Sequence, residues 1–172
     1  SDSDKIFFRM LHVLSRPFDE FDTNALLKLH GFIFDGIRPD AGKLRTSSAE
    51  LNGSSFADAS LIAGSMKRLL GKLADTPAAP DVGREDFAMS MTYFFGEIFL
   101  LCPFRSTSTF TEALFFALFA PTRGFRFDYS RTGGARLFEA AKNAFVTDES
   151  GDLFVCLNEA IVYMGVESEG KE

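Results

Sequence analysis

Apolar side chains recur along this chain three and four positions apart, the repeat of a helix with one buried face. Ile6, Phe7, Met10, Leu11 and Leu14 make a first stripe, which Arg16-Pro17 ends. A second helix, capped by Asp22 or Thr23, carries Leu26, Leu27, Leu29, Phe32, Ile33 and Phe34 and stops at Gly36 and Pro39. The repeat then breaks. Lys43 to Ser48 reads as extended chain running on to Leu51. Asn52-Gly53 follows, the residue pair that suits a two-residue turn with φ > 0 at both positions, and then Ser54-Ser55-Phe56. One β-hairpin is expected there.

Helical spacing resumes after Asp58 or Ser60, with Leu61, Ile62, Met66, Leu69, Leu70 and Leu73 on one face. Thr76 to Asp81 is a loop and not a domain boundary, because the apolar pattern returns at once. Arg84 to Leu101 and Thr109 to Phe119 are apolar nearly all round, which puts both at the centre of a bundle. Thr109 and Glu112 have capping-box spacing, and Pro121 closes the segment. Phe125 to Tyr129 reads as extended. Amphipathic helices follow at Ala135 to Phe145 and Leu153 to Met164, the second capped by Asp152, and polar Val166 to Glu172 is expected to fray. The expectation is an all-α bundle of about seven helices with one β-hairpin, a single domain spanning residues 1–172.

Composition narrows the function. With 21 Phe and no Trp, phenylalanine supplies most of the large core volume. A net charge of −6 gives nucleic acid and anionic membranes no basic surface to hold, so neither is expected as a partner. Ile98 to Cys102 is the greasiest run, too short to span a bilayer, and Ser-Asp-Ser-Asp at the start is no signal peptide. Cys102 and Cys156 cannot make a disulfide framework, which favours a reducing compartment. His12 and His30 are the only histidines, too few for a histidine-rich metal site, and no metal ligands are assigned.

The candidate chemistry lies in Cys102-Pro103-Phe104-Arg105-Ser106-Thr107-Ser108-Thr109-Phe110-Thr111-Glu112-Ala113, a loop entering a helix. A helix N-terminus offers unpaired N–H groups and partial positive charge to an anion. The order of elements around it resembles the Fic (Fic/Doc) family over roughly Thr23 to Met164. In that family a loop reading His-x-Phe-x-(Asp/Glu)-Gly-Asn-Gly-Arg-x-x-Arg joins two central helices, and a hairpin flap lies upstream. The flap side matches well, through Leu29-His30-Gly31-Phe32-Ile33-Phe34-Asp35-Gly36-Ile37 and Ala41-Gly42-Lys43-Leu44-Arg45-Thr46, with Asp40 where Trp is usual. The resemblance implies a Fic-like bundle with a target-docking flap at Arg45, Thr46, Ser47, Ser48, Asn52 and Gly53.

The loop departs from the pattern. Phe104 and Arg105 match, but Cys102 stands at the catalytic histidine and Ser106 at the Mg²⁺-holding acid. Thr107, Ser108 and Thr109 replace Gly-Asn-Gly, while Phe110 and Ala113 replace both arginines. A thiol is a poorer base at neutral pH than imidazole, and β-branched threonine resists the φ > 0 turns of a phosphate nest. Removing one such group typically costs about 10²–10⁴ in rate, and here several are absent together. No match to the self-inhibitory (Ser/Thr)-x-x-x-Glu-(Gly/Asn) helix of some family members is present.

Each position also has a plainer reading. Cys102 is either a nucleophile at a helix start or a small buried hydrophobe. Arg105, Ser106, Thr107, Ser108 and Thr109 either bind an anion or nucleotide or, for the hydroxyls, only cap the helix. Arg45 and Arg105 meet a phosphate or an acidic partner, or pair with Asp35, Asp40, Glu97 or Glu112. His30 is expected to be a hydrogen-bonded packing residue. The flap either receives an extended segment of a partner as an added strand or merely covers the cleft.

The leading expectation is therefore a Fic-like protein with a degenerate loop, lacking adenylyl transfer, needing no cofactor, and acting as a protein-binding or regulatory module or as a homo-oligomer subunit. The alternative is a nucleotidyl or other phosphate-group transferase modifying a protein hydroxyl, with ATP and Mg²⁺ as cofactors. A cysteine-nucleophile enzyme comes third. The resemblance implies placement in the cytoplasm, or delivery into a host cell as an effector.

Overall fold

The computed structural model describes residues 1–165, and its elements follow the apolar repeat closely. Among those residues the order is α1 (Asp2–Ser15), α2 (Thr23–Phe34), β1 (Glu50–Leu51), β2 (Ser54–Ser55), α3 (Ile62–Leu73), α4 (Arg84–Leu101), α5 (Ser108–Phe119), β3 (Phe125–Phe127), α6 (Gly134–Thr147), α7 (Gly151–Ala160) and β4 (Ile161–Tyr163). This is the all-α bundle of seven helices with a hairpin flap. The expectation for Val166 to Glu172 falls outside the described residues.

The two nearly all-apolar helices are central. α4 packs against α3, α5, α6 and α7, and α5 also meets α2. Phe87, Phe95, Phe115 and Phe116 are completely buried. Their rings meet tilted, edge-on or stacked, as with Phe87 on Phe125 at 4.3 Å between centroids. One buried cluster draws on every helix, from Val13 of α1 to Leu153 of α7. α1 contributes least, because Phe7, Phe8, Leu11 and Leu14 remain exposed and Val13 alone of this helix is buried.

Caps explain the helix starts. The Asp22 carboxylate accepts the Ala25 N–H at 2.8 Å, and Asp58 accepts the Ser60 N–H at 2.9 Å to open a short 3₁₀ turn leading into α3. At its far end α2 is closed from another helix. Arg9 of α1 donates to the carbonyls of Ile33 (3.0 Å) and Asp35 (2.8 Å), where a cation also suits the helix dipole.

Four expectations need correction. The extended stretch from Lys43 is not a strand. Only Glu50–Leu51 and Ser54–Ser55 pair, around an Asn52-Gly53 turn with φ of 51° and 79°. The last helix stops at Ala160, since Ile161-Val162-Tyr163 pairs antiparallel with Phe125–Phe127, and β-branched and aromatic residues suit that pleated surface better. Ser150, not Asp152, is the N-cap residue of α7. Asp152 sits in the first turn and accepts from Asn143 Nδ2 at 3.2 Å. The Thr109–Glu112 capping box does not form, because α5 begins at Ser108 and the Glu112 side chain points into the core. No helix among the described residues is long and apolar enough to cross a membrane.

Candidate functional site at the α4–α5 turn

α4 ends on Cys102 in the left-handed region (φ 44°, ψ 64°), its N–H held by the carbonyls of Ile98 and Phe99 at 3.0 and 3.1 Å. Phe104 then drops into the core and anchors the turn. Ser108 closes it, because its Oγ accepts the Phe104 N–H and donates to the Phe104 carbonyl, both at 2.9 Å. Thr107, the residue before α5, is left-handed at φ 62°, ψ 19°. The backbone therefore makes the φ > 0 turn that a glycine would make, although the residue is β-branched and strained there.

His30 reaches this loop from α2, a contact sequence reasoning did not assign. Its ring is fully buried and stacks on Phe104 at 3.9 Å with 5° between planes. Nδ1 accepts the Gly42 N–H at 2.9 Å, so the ring proton belongs on Nε2. Nε2 faces Thr107 Oγ1 at 3.2 Å and the Ser106 carbonyl at 3.4 Å, and Thr107 Oγ1 also donates to the Ser106 carbonyl. Burial holds the imidazole pKa below its ordinary value. The only local sign of this contact is the glycine pair. Gly42 lies at φ 76°, and a Cβ on it would come within 3.2 Å of the Gly31 Cα, so the chain before the flap can lie on α2 only with glycine at this crossing.

Arg45 was expected among the docking residues, and the structure moves it inside. Its side chain is buried and donates to the carbonyls of Cys102 (2.7 Å), Ser47 (2.9 Å), Leu101 (3.1 Å) and Ala57. Its own N–H bonds the Pro103 carbonyl at 2.9 Å, and the Ala57 N–H bonds the Leu100 carbonyl at 3.1 Å. Both ends of the flap are thus pinned to the C-terminal turn of α4, leaving Arg45 unavailable to a phosphate or partner. Thr46, Ser47, Ser48, Asn52 and Gly53 are exposed, and the main-chain N–H and C=O groups of Thr46 and Ser48 have no partner among the described residues. That is a short open edge.

The other predicted site residues stay near the loop. Arg105 is exposed with no ion pair or hydrogen bond among the described residues, and Ser106 and Thr109 are half-exposed. The amides of Ser106 through Phe110 are likewise unpartnered, as the first turn of a helix leaves them. The Cys102 thiol is half-buried, and burial pushes its pKa up, leaving it protonated at neutral pH. Glu112 is buried with neither carboxyl oxygen partnered, and burial drives its pKa well above the usual range. The donor set thus fits an anion at the amides and Arg105. It does not fit a divalent metal, since no carboxylate is presented from Cys102 to Thr109 and no group of three or more metal-ligating side chains occurs among the described residues.

No protein-family model matches the sequence, and no curated protein is detectably similar. Solved structures are similar. The N-terminal Fic domain of a VirB-translocated Bep effector from Bartonella quintana, with bound ADP, superposes with a TM-score of 0.84 at 17% identity over 96% of this chain and 85% of that one. BepC of Bartonella tribocorum, with bound AMPPNP, gives 0.82 at 17% identity over 94% of this chain and 85% of its own. A Fic family protein from Desulfovibrio desulfuricans G20 gives 0.63 at 13% identity over 99% of this chain and 53% of its own. The chain has the Fic fold.

Proposed function

We propose that this Fic-fold chain no longer transfers adenylyl groups and works as a protein-binding or regulatory module, with its hairpin as the docking edge. The observation that carries this reading is the state of His30. It is the histidine that reaches the loop, yet it is buried, its Nδ1 lone pair is taken by Gly42, and its Nε2 carries a proton toward Thr107 and Ser106. A general base needs a free lone pair facing the hydroxyl it deprotonates. Cys102, at the position of the family histidine, offers a protonated thiol instead. The flap keeps what docking requires, an exposed edge on a pinned base, and strand addition draws mainly on main-chain hydrogen bonds. The Bartonella neighbours are VirB-translocated effectors, which supports delivery into a host cell as the setting for such a module.

The test has two arms. Purified chain, Mg²⁺ and ATP labelled on the α-phosphate are expected to leave no label on the chain or on added proteins, and transfer of label would overturn the loss of catalysis. Ser48→Pro removes an N–H from the open edge and leaves the Arg45 bonds to Cys102, Leu101 and Ala57 in place, and it should release partners that the unaltered chain retains. An unchanged partner set would overturn docking at the flap.

A second reading keeps a phosphate-group transferase in which Arg105, the hydroxyls of Ser106 to Thr109 and the unpartnered amides hold the nucleotide. It is favoured by the left-handed turn at Thr107 and by the AMPPNP and ADP bound to the two Bartonella neighbours. Calorimetry distinguishes the readings, since Mg²⁺-dependent ATP binding at micromolar ligand supports the second.

A further inference from the structure

α4 is central to the bundle, yet one strip of it is open. Met89, Tyr93 and Leu100 are 57%, 48% and 40% exposed, and with Glu85 and Glu97 they line one side of the helix. This strip floors a groove of about 600 Å³, whose opposite wall is Phe145 of α6, the Asp148–Ser150 turn, and Phe154 of α7. No lysine, arginine or histidine lines it. Its three carboxylates, on Glu85, Glu97 and Asp148, have no ion pair or hydrogen bond among the described residues. A few exposed carboxylates elsewhere find cations, as Glu159 finds Arg136 at 2.7 Å and Glu139 finds Lys142 at 3.0 Å, whereas others such as Asp19, Glu20 and Asp81 stand unpaired away from this aromatic groove.

We infer that this groove docks a basic segment of a partner protein, with an apolar or aromatic anchor over Tyr93 and lysines or arginines beside Glu85, Glu97 and Asp148. Charge complementarity selects the occupant. Unpaired carboxylates around aromatic faces favour a cation twice, through the carboxylates and through the negative ring faces. They also repel an acidic segment and disfavour a neutral one, which would strip their water without replacing it. The orientation follows from the neighbouring groove of about 310 Å³, which shares Tyr93, Glu97 and Leu100 but carries Arg68 and Lys72 on α3. Arg68 and Lys72 therefore bound the basic segment on the α3 side. The inference stands apart from the flap reading, because Ser48→Pro tests one surface and the groove variants test the other.

The probe is a short fluorescein-labelled peptide of Lys, Arg, Leu and Phe, followed by anisotropy against the whole chain, with a counterpart bearing Glu at every basic position. The basic peptide should bind and the acidic one should not. Tyr93→Ala should weaken binding about tenfold. Glu85→Gln, Glu97→Gln and Asp148→Asn together should weaken it about tenfold and flatten its salt dependence. The control removes as many charges elsewhere, with Asp19→Asn, Glu20→Gln and Asp81→Asn, and should leave binding within about twofold. Equal loss in the control would show attraction to net charge alone and overturn the inference, as would no binding by the unaltered chain. A dimer that Tyr93→Ala dissociates, with no peptide bound, would assign the groove to a second copy and also overturn it.

Discussion

The imidazole of His30 lies flat on the ring of Phe104, 3.9 Å between centroids, and this contact joins the helix before the flap to the loop after α4. The ring is neutral because burial depresses its pKa. As pH falls, the unfolded chain takes up the proton first, near the ordinary value of about 6.5. The stability contributed by neutral His30 is thus present above about pH 6.5 and lost as pH falls through the lower folded value. His30→Gln should cost about 1–3 kcal/mol at neutral pH, from the Gly42 and loop contacts. It should also show a shallower loss of stability between about pH 7 and about pH 5. Parallel urea-midpoint profiles for the two proteins would refute this.

Glu112 has the opposite sign. Its folded pKa is raised, so the protein binds the proton more tightly when folded. Stability is full below the ordinary carboxyl value and is lost as pH rises toward the folded value. Glu112→Gln keeps the shape and removes the titration. It should stabilise the protein by about 1–3 kcal/mol near pH 8 and by much less near pH 4, read from urea midpoints. A variant less stable at the higher pH would mean that the carboxylate has a partner.

The elements that the sequence made legible are those where one local signal decides. Asn52-Gly53 marked the turn, and the all-round apolar run marked α4 to its ends at Arg84 and Leu101. Legibility failed where a distant segment decides. Ile161 to Tyr163 continues a helical repeat, and only the edge offered by Phe125–Phe127 makes it a strand. Its β-branched pair was the available clue. At the site, the residue types of the loop could be read one by one, and the hairpin lies where the resemblance put it. The burial of Arg45 and the contact of His30 with Thr107 could not be read, because their partners lie 57 and 77 residues away. The strain at Thr107 was hidden for another reason, since residue type argued against φ > 0 and the closure of the loop by Phe104 and Ser108 imposes it.

Arg45 holds the flap base to the end of α4 with donations to four carbonyls. Arg45→Ala leaves the Leu101 acceptor buried and the other acceptors, Ser47 apart, partly so, at a cost of about 2–4 kcal/mol. Arg45→Lys should recover less than half of that, because one ammonium cannot reproduce the guanidinium fork. The specific readout is hydrogen exchange at the amides of Phe56 and Ala57, which bond the carbonyls of Ala49 and Leu100. Their exchange should quicken in Arg45→Ala before that of the α5 core does. Unchanged exchange at these two amides would show that the flap is held by something else.

Thr107 places a β-branched side chain at φ 62°, where such a residue carries about 1–3 kcal/mol of strain. Thr107→Gly removes that strain and also removes Oγ1, which contacts His30 Nε2 at 3.2 Å. The lost contact is worth about 0.5–1.5 kcal/mol net, and Nε2 keeps the Ser106 carbonyl as an acceptor at 3.4 Å. Glycine adds about 0.4–1 kcal/mol of entropy to the unfolded chain, so at the middle of these ranges the balance is a gain of about 0.3 kcal/mol. The variant should unfold at higher urea with an unchanged slope against denaturant. A lower midpoint would mean that the Thr107–His30 contact outweighs the strain, and that threonine is held left-handed by the loop's hydrogen bonds at no net cost.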